Sequence, residues 1–273
     1  MTLTDTNTID SYHRDGYVVV RSLFSPAEIQ TLASHFTQIA AGPPIENHWA
    51  PMREDSDPLR RYPRIVQPHR FDPLSKQMLL DPRVMDIVAA IFDDNPLAVQ
   101  SMYYFKPPGA KGQALHQDDF YLHTKPSPCL AAWTAVDPSL PENGGLYVVP
   151  LTHDHDVVCP DMANPDESFT THYVAPPQGS EALPLRLNPG DTLFFNGCVI
   201  HGSKPNTTDN LWRRSFICHY VPASTEKLAV WFQPVIDRDG RNHQLGIADD
   251  GGPCGREFPA FFSDADVRTK PKA

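Results

Sequence analysis

Ser25-Pro26-Ala27-Glu28 opens a run in which Ile29, Leu32, Ala33, Phe36, Ile39 and Ala40 recur at helical spacing, and the run stops at Gly42. A serine three positions before a glutamate forms a capping box, and proline at the first helical position gives up an N–H that would have no partner there. A helix is therefore predicted between Ser25 and Gly42. Asp81-Pro82 announces a second one, carried by Met85, Val88, Ala89 and Phe92. From residue 97 the period changes. Apolar runs from Leu97 to Phe105, Leu130 to Val136, Leu146 to Val149, Leu183 to Leu187, Thr192 to Phe195, Phe216 to Val221 and Leu228 to Val235 are separated by Pro, Gly and Asn. Spaced short runs with turn chemistry between them predict a β-sandwich or barrel, with helices preceding it.

Between the predicted helices, residues 43–73 contain seven of the 29 prolines, His48, Trp49, and the arginines Arg53, Arg60, Arg61, Arg64 and Arg70. A proline-rich connection of this length reads as a lid loop, solvated because Glu54, Asp55 and Asp57 lie among the arginines. Those arginines could also face an acidic substrate. One domain is expected, with helices and lid in residues 1–96, a β core in 97–235 and an extension in 236–273.

Composition narrows the function classes. No apolar run approaches the roughly 18 residues a membrane span needs, so no membrane partner is expected. A net charge of −10, with no Lys/Arg run to offset it, argues against nucleic acid. Met1 to Asp10 is polar and resembles no secretory or transit segment, so a cytoplasmic location is expected. Five scattered cysteines form no CxxC pair and are expected to be reduced, with Cys129, Cys198 and Cys218 serving as small core residues.

The candidate chemistry centres on Leu115-His116-Gln117-Asp118. If this segment is extended, its period of two puts His116 and Asp118 on one face, within reach of one ion. His201, in Ile200-His201-Gly202-Ser203 beyond the turn Gly190-Asp191, supplies a second imidazole. Two imidazoles and a carboxylate on one face of a metal leave other positions open, an arrangement suited to non-haem Fe(II) and O2. An HxD pair alone is weak evidence in a chain of 12 histidines. His153-Asp154-His155-Asp156 is a competing cluster, read as local hydrogen bonding in a turn.

Taken in order, these residues resemble the phytanoyl-CoA dioxygenase family of Fe(II)/2-oxoglutarate oxygenases. The resembling elements are His116-Gln117-Asp118, Gly190-Asp191 through Phe195 to His201, and Arg213-Arg214-Ser215-Phe216-Ile217-Cys218-His219-Tyr220, with supporting turns at Asn143-Gly144-Gly145-Leu146 and Pro150-Leu151-Thr152-His153 and the opening Asp15-Gly16-Tyr17-Val18-Val19. The resemblance implies a double-stranded β-helix (jelly-roll) with flanking helices. It implies His116, Asp118 and His201 as iron ligands, and 2-oxoglutarate and O2 as co-substrates. An arginine would meet the far carboxylate of 2-oxoglutarate through its planar fork. Counting back from His219-Tyr220 selects Arg213, and alternation points Arg214 the other way. Gln113 is a second candidate binder. Ser203 would bond co-substrate or backbone, and Trp133 would line the pocket or pack the core. Halogenating relatives carry a small residue at the carboxylate position, so Asp118 implies hydroxylation or a related oxidation of a small molecule, releasing succinate and CO2. Two other classes compete: a cupin-like Zn(II) hydrolase or isomerase, and a non-catalytic ligand-binding jelly-roll.

Overall fold

The computed structural model describes residues 6–248. Its first part contains α1 (Thr6–Asp15), β1 (Tyr17–Val20), α2 (Pro26–Ala41), α3 (Pro58–Arg61), β2 (Ile65–Val66), a 3-10 turn (Pro68–Arg70), α4 (Pro73–Leu79) and α5 (Pro82–Phe92). Next come β3 (Pro96–Tyr104), β4 (Gln113–His116), α6 (Asp119–Leu122), β5 (Leu130–Ala135), β6 (Leu146–Val148), β7 (Asp161–Met162), β8 (His172–Tyr173) and β9 (Leu183–Pro184). The chain continues with β10 (Thr192–Asn196), β11 (His201–Ser203), β12 (Ser215–Pro222), β13 (Lys227–Leu228), a 3-10 turn (Val230–Phe232), β14 (Val235–Ile236), β15 (Asn242–His243) and β16 (Gly246–Ile247).

Two antiparallel sheets form a double-stranded β-helix. The larger runs β1-β10-β5-β12-β3-β14-β15, with β2 added to β3, and the smaller runs β4-β11-β6-β9. Both faces of the larger sheet are covered, which is why its strands read as near-continuous apolar runs. Phe194, Phe216, Cys218 and Tyr220 pack on one face against Leu32, Phe36, Leu79 and Val88 of the helices. Trp133, Leu193, Phe195 and Ile217 point the other way, toward Leu146 and Val148 of the smaller sheet. The barrel interior lies between these two sheets.

The helices obey their predicted signals. Ser25 and Glu28 form both halves of the capping box, and α2 buries Ile29, Leu32, Phe36 and Ala40. Burial of each large side chain contributes about 1.5–3 kcal/mol. Phe36 stacks on Tyr103 of β3 with ring centroids 3.8 Å apart, anchoring α2 to the sheet. Asp81 caps α5 by accepting from Arg83 N at 3.0 Å.

Residues 43–73 carry elements where a solvated lid loop was expected. Asp57-Pro58 and Asp72-Pro73 start helical turns just as Asp81-Pro82 does, each aspartate capping the turn that follows. Trp49 is fully buried against Phe105, and Ile65 and Val66 pair with Tyr103 and Met102. Pro58, Pro68 and Pro73 are therefore turn-starting residues with a place in the fold. Two predicted strands are shorter than expected. Leu228 to Val235 divides into β13, a 3-10 turn and β14, since Pro234 has no N–H for a ladder. Leu183 to Leu187 keeps only β9 and an isolated bridge between Leu187 and Ser139. The expectation that all five cysteines are reduced is also corrected: Cys159 is disulfide-bonded, while Cys129, Cys198 and Cys218 are buried free thiols. Among the described residues no helix is long and apolar enough to cross a membrane.

Candidate metal centre

His116 ends β4, His201 begins β11, and these antiparallel neighbours place the two residues directly opposite each other. Their ring centroids are 4.2 Å apart. Asp118 arrives differently from the extended reading of its segment. Its backbone is helical (φ −66°, ψ −35°), because the chain turns into α6 immediately after β4. Asp118 O accepts from Tyr121 N at 2.9 Å, and Asp119 N donates to Gly197 O at 3.0 Å, so local helix bonds and a strand-end contact replace the ladder. The turn returns the carboxylate to the histidines all the same. Oδ1 lies 3.5 Å from His116 Nε2 and Oδ2 lies 3.6 Å from His201 Nε2. One ligand atom from each of the three buried side chains falls within 4.8 Å of the others, a grouping that could hold a metal ion.

The protonation pattern suits a cation. His116 Nδ1–H donates to Ala114 O at 2.8 Å and His201 Nδ1–H to Val199 O at 2.9 Å. A proton held on Nδ1 leaves the Nε2 lone pair facing the centre, and the backbone carbonyl fixes the ring's orientation. Burial pushes His201 down to about 4, against the opposing pull of Asp118, so its imidazole is neutral at ordinary pH. For Asp118 burial opposes ionisation, but His201, His219 and His116 outweigh it and hold the carboxyl well below its usual range. Two Nε2 lone pairs beside a carboxylate are the donor set a divalent ion requires.

The candidate co-substrate residues also lie in the barrel. Arg213 is 4% exposed; its Nε donates to Gly144 O at 3.2 Å, its Nη1 donates to Ser215 Oγ at 3.0 Å, and its guanidinium stands 5.5 Å from the Trp133 ring centre. Neither hydrogen-bond acceptor carries a charge. Arg214 points to the other face and is engaged by Asp137, with Nε–Oδ2 at 2.8 Å and Nη2–Oδ1 at 2.7 Å. Gln113 Nε2 donates to His116 Nε2 at 2.9 Å. Ser203 Oγ accepts from Gln113 N at 3.2 Å. Gln113 and Ser203 also line a 470 Å³ cavity with Tyr147, Ser168 and Lys204, whereas the triad does not.

The sequence profile of the phytanoyl-CoA dioxygenase family matches residues 12–215, well over half of the 273-residue chain. The chain belongs to the phytanoyl-CoA dioxygenase family. It is 30% identical over 147 residues to phytanoyl-CoA dioxygenase domain-containing protein 1 of Danio rerio, covering 52% of this chain and 50% of that protein. It is 27% identical over 222 residues to a methylphosphonate hydroxylase of Gimesia maris, covering 80% and 81% respectively. The chain thus spans about half the length of the first relatives it matches. Among solved structures, EvdO2 of Micromonospora carbonacea complexed with 2-oxoglutarate superposes with a TM-score of 0.62 at 21% identity, covering 80% of this chain and 91% of that one. At that identity the likeness concerns the fold.

Two buried residues at the site of this phytanoyl-CoA dioxygenase family member escaped the sequence reading. His219 Nε2 lies 3.0 Å from Asp118 Oδ2. Alternation from Arg213, two residues before β12, through Ser215 and Ile217 reaches His219, so a period-two count would have put it on the interior face. Lys106 is 2% exposed, and its ammonium donates to Gly144 O and Ser203 Oγ, both at 2.9 Å, and to Lys204 O. Burial and the neighbouring Arg213 push Lys106 well below its usual value. No sequence signal marks a lysine whose three acceptors come from distant turns.

The motif residues outside the barrel are structural. Thr152 Oγ1 donates to Val149 O at 2.7 Å and accepts from Ile200 N at 2.9 Å, so the Pro150–His153 turn steadies the approach to His201. His153 Nε2 lies 3.1 Å from His13 O of α1, 140 positions away, so this contact ties the turn to the first helix where bonding within the turn was expected.

Proposed function

We propose that this chain is a non-haem Fe(II)- and 2-oxoglutarate-dependent dioxygenase that oxidises a C–H bond of a small molecule, most simply by hydroxylation, with succinate and CO2 as co-products. The observation that carries this reading is the pairing, inside one barrel, of a two-imidazole and carboxylate face with a buried arginine whose hydrogen bonds, among the described residues, go only to uncharged groups. A guanidinium taken out of water is costly unless an anion meets it, and a dicarboxylate co-substrate supplies one.

His116, Asp118 and His201 would hold Fe(II), their rings clamped by the Ala114 and Val199 carbonyls. Bound iron with 2-oxoglutarate supplies an oxidant that amino-acid side chains lack. The remaining work belongs to the protein. Arg213 would present its fork to the far carboxylate, with the Trp133 face behind it. Lys106 and Arg213 share the Gly144 carbonyl, so the lysine steadies the turn against which the arginine is set. Ser203, held by Lys106, and Gln113, beside His116, complete the co-substrate wall. The side chain at position 118 is a carboxylate, which favours hydroxylation over halogenation. The relatives act on dissimilar small molecules by name, so the substrate depends on how each pocket holds it.

The test is anaerobic addition of Fe(II) and 2-oxoglutarate while recording the visible spectrum. A weak metal-to-ligand charge-transfer band in the wild type, lost in His116→Ala and weakened in Arg213→Ala, is the expected result. Absence of a band, with Zn(II) retained tightly instead, would overturn the oxygenase reading in favour of Lewis-acid hydrolysis or isomerisation.

A further inference from the structure

Asp118 occupies a weak place to hold a carboxylate. It sits where β4 gives way to α6, outside the strand ladder, and its side chain caps no N–H of the helix it starts. Its side-chain neighbours are His116, His201 and His219. Under the reading proposed above, a bound ion claims Nε2 of the first two. His219 remains. It reaches across from the larger sheet, at a position on β12 opposite Ala131 of β5 and Gln100 of β3.

The hydrogen bonding of His219 is one-sided. Nε2–H donates to Asp118 Oδ2 at 3.0 Å, while Nδ1 is buried with no hydrogen-bond partner among the described residues. A buried acceptor left unmade costs about 1–3 kcal/mol. Packing alone would favour an apolar side chain at a site 2% exposed. The imidazole's polar capacity is thus invested in one contact, the carboxylate oxygen of a candidate metal ligand.

We infer that His219 is a positioning residue that holds Oδ2 of Asp118, leaving Oδ1 as the single oxygen presented to the metal. The inference rests on the metal-centre reading above and adds a reason for the open coordination positions. A freely rotating carboxylate could bind through both oxygens and occupy a position that co-substrate or O2 needs. A carboxylate whose Oδ2 is engaged by an N–H donor is biased toward binding through Oδ1 alone.

The test compares wild type with His219→Leu, which removes the N–H, and His219→Gln, whose amide N–H can reach the same oxygen. Co(II) affinity is measured by anaerobic titration, the Fe(II)/2-oxoglutarate band is recorded, and metal-free melting is followed as a fold control. The expected result is a loss of about 10–100-fold in Co(II) affinity and a displaced band for His219→Leu, with both largely restored in His219→Gln. Metal-free melting of His219→Leu should not fall, since the substitution also removes an unpaired buried nitrogen. Wild-type affinity and an unchanged band in His219→Leu would overturn the inference. So would equal weakening in both variants accompanied by equal loss of metal-free stability, which marks a packing role. Should His219→Leu fail to fold, His219→Asn, whose amide stops short of Asp118, takes its place with the same expectation. If wild type binds Co(II) but gives no band with 2-oxoglutarate, the co-substrate reading fails while Co(II) affinity still decides the role of His219. A wild type that binds no Co(II) would overturn the metal centre and this inference together.

Discussion

Arg213 and Arg214 are neighbours in the chain and face opposite sides of the sheet, and their surroundings assign them different work. Arg214 is clasped by Asp137 on the outer side, whereas Arg213 enters the barrel and, among the described residues, donates only to neutral acceptors. Substituting Arg213 with alanine should weaken 2-oxoglutarate binding by about 10–100-fold, the cost of about 1.5–3 kcal/mol for a charge-assisted contact. Arg214→Ala should leave that affinity unchanged and lower stability by about 1 kcal/mol, since part of the pair is solvent-screened. Calorimetric titration and urea unfolding of both variants separate the two roles; a reversed pattern would assign the co-substrate to Arg214. His69 makes a second prediction at this scale. It is buried against Ser101 Oγ at 2.7 Å, and burial pushes its imidazole down to about 3. An unfolded histidine titrates near about 6.5, so below that pH the unfolded chain binds more protons than the folded one. Stability is therefore whole above about pH 6.5 and declines as pH falls toward 3. The urea midpoint should drop between about pH 7.5 and about pH 5, by less in His69→Gln than in wild type. An equal drop in both would place the acid sensitivity elsewhere.

At the scale of the element, the motif Gly190-Asp191 is a device for holding β1. Gly190 has φ +90°, and a Cβ there would lie 2.1 Å from Phe24 O, so the chain approaches too closely for a side chain. Asp191 then accepts from Ser22 N and Asn188 N at 2.8 Å and from Arg21 Nη1 at 2.7 Å, tying the exit of β1 to the entry of β10. Gly190→Ala should destabilise the protein on the order of 3 kcal/mol, because the obstacle is backbone in a conformation that L-residues avoid. A loss under about 0.5 kcal/mol on urea unfolding would show that the turn relaxes freely. The helix starts were legible from short sequence because a cap acts within one turn. Three Asp-Pro steps open helical turns, yet only Asp81-Pro82 is followed by a long enough apolar period to be read as a helix.

Across the whole molecule, the larger sheet serves two compartments. One face binds the helices through Phe194, Phe216 and Tyr220, and the other looks into the barrel, where β12 brings Arg213 and His219 toward residues carried by β4 and β11. An ion bound at the centre would join the smaller sheet, α6 and, through Asp118 and His219, the larger sheet. Co(II) should therefore raise the melting temperature of the wild type, by about 2.7 kcal/mol of added stability at a hundredfold excess over its dissociation constant, and a chelator should reverse the gain. His201→Ala should show no such response. An equal rise in that variant would locate the metal elsewhere.

The sequence by itself determined the parts that act over a few residues: the caps of α2 and α5, the apolar strands of a sheet buried on both faces, and the His116, Asp118 and His201 grouping. Only the tertiary structure decided how those parts meet. Asp118 reaches the histidines through a helical turn, which no period of two describes. His219 lies 101 positions from the carboxylate it contacts, and Lys106 lies 97 positions from Ser203. Such contacts depend on where two sheets face each other in space, and the local pattern around either residue holds no record of its distant partner.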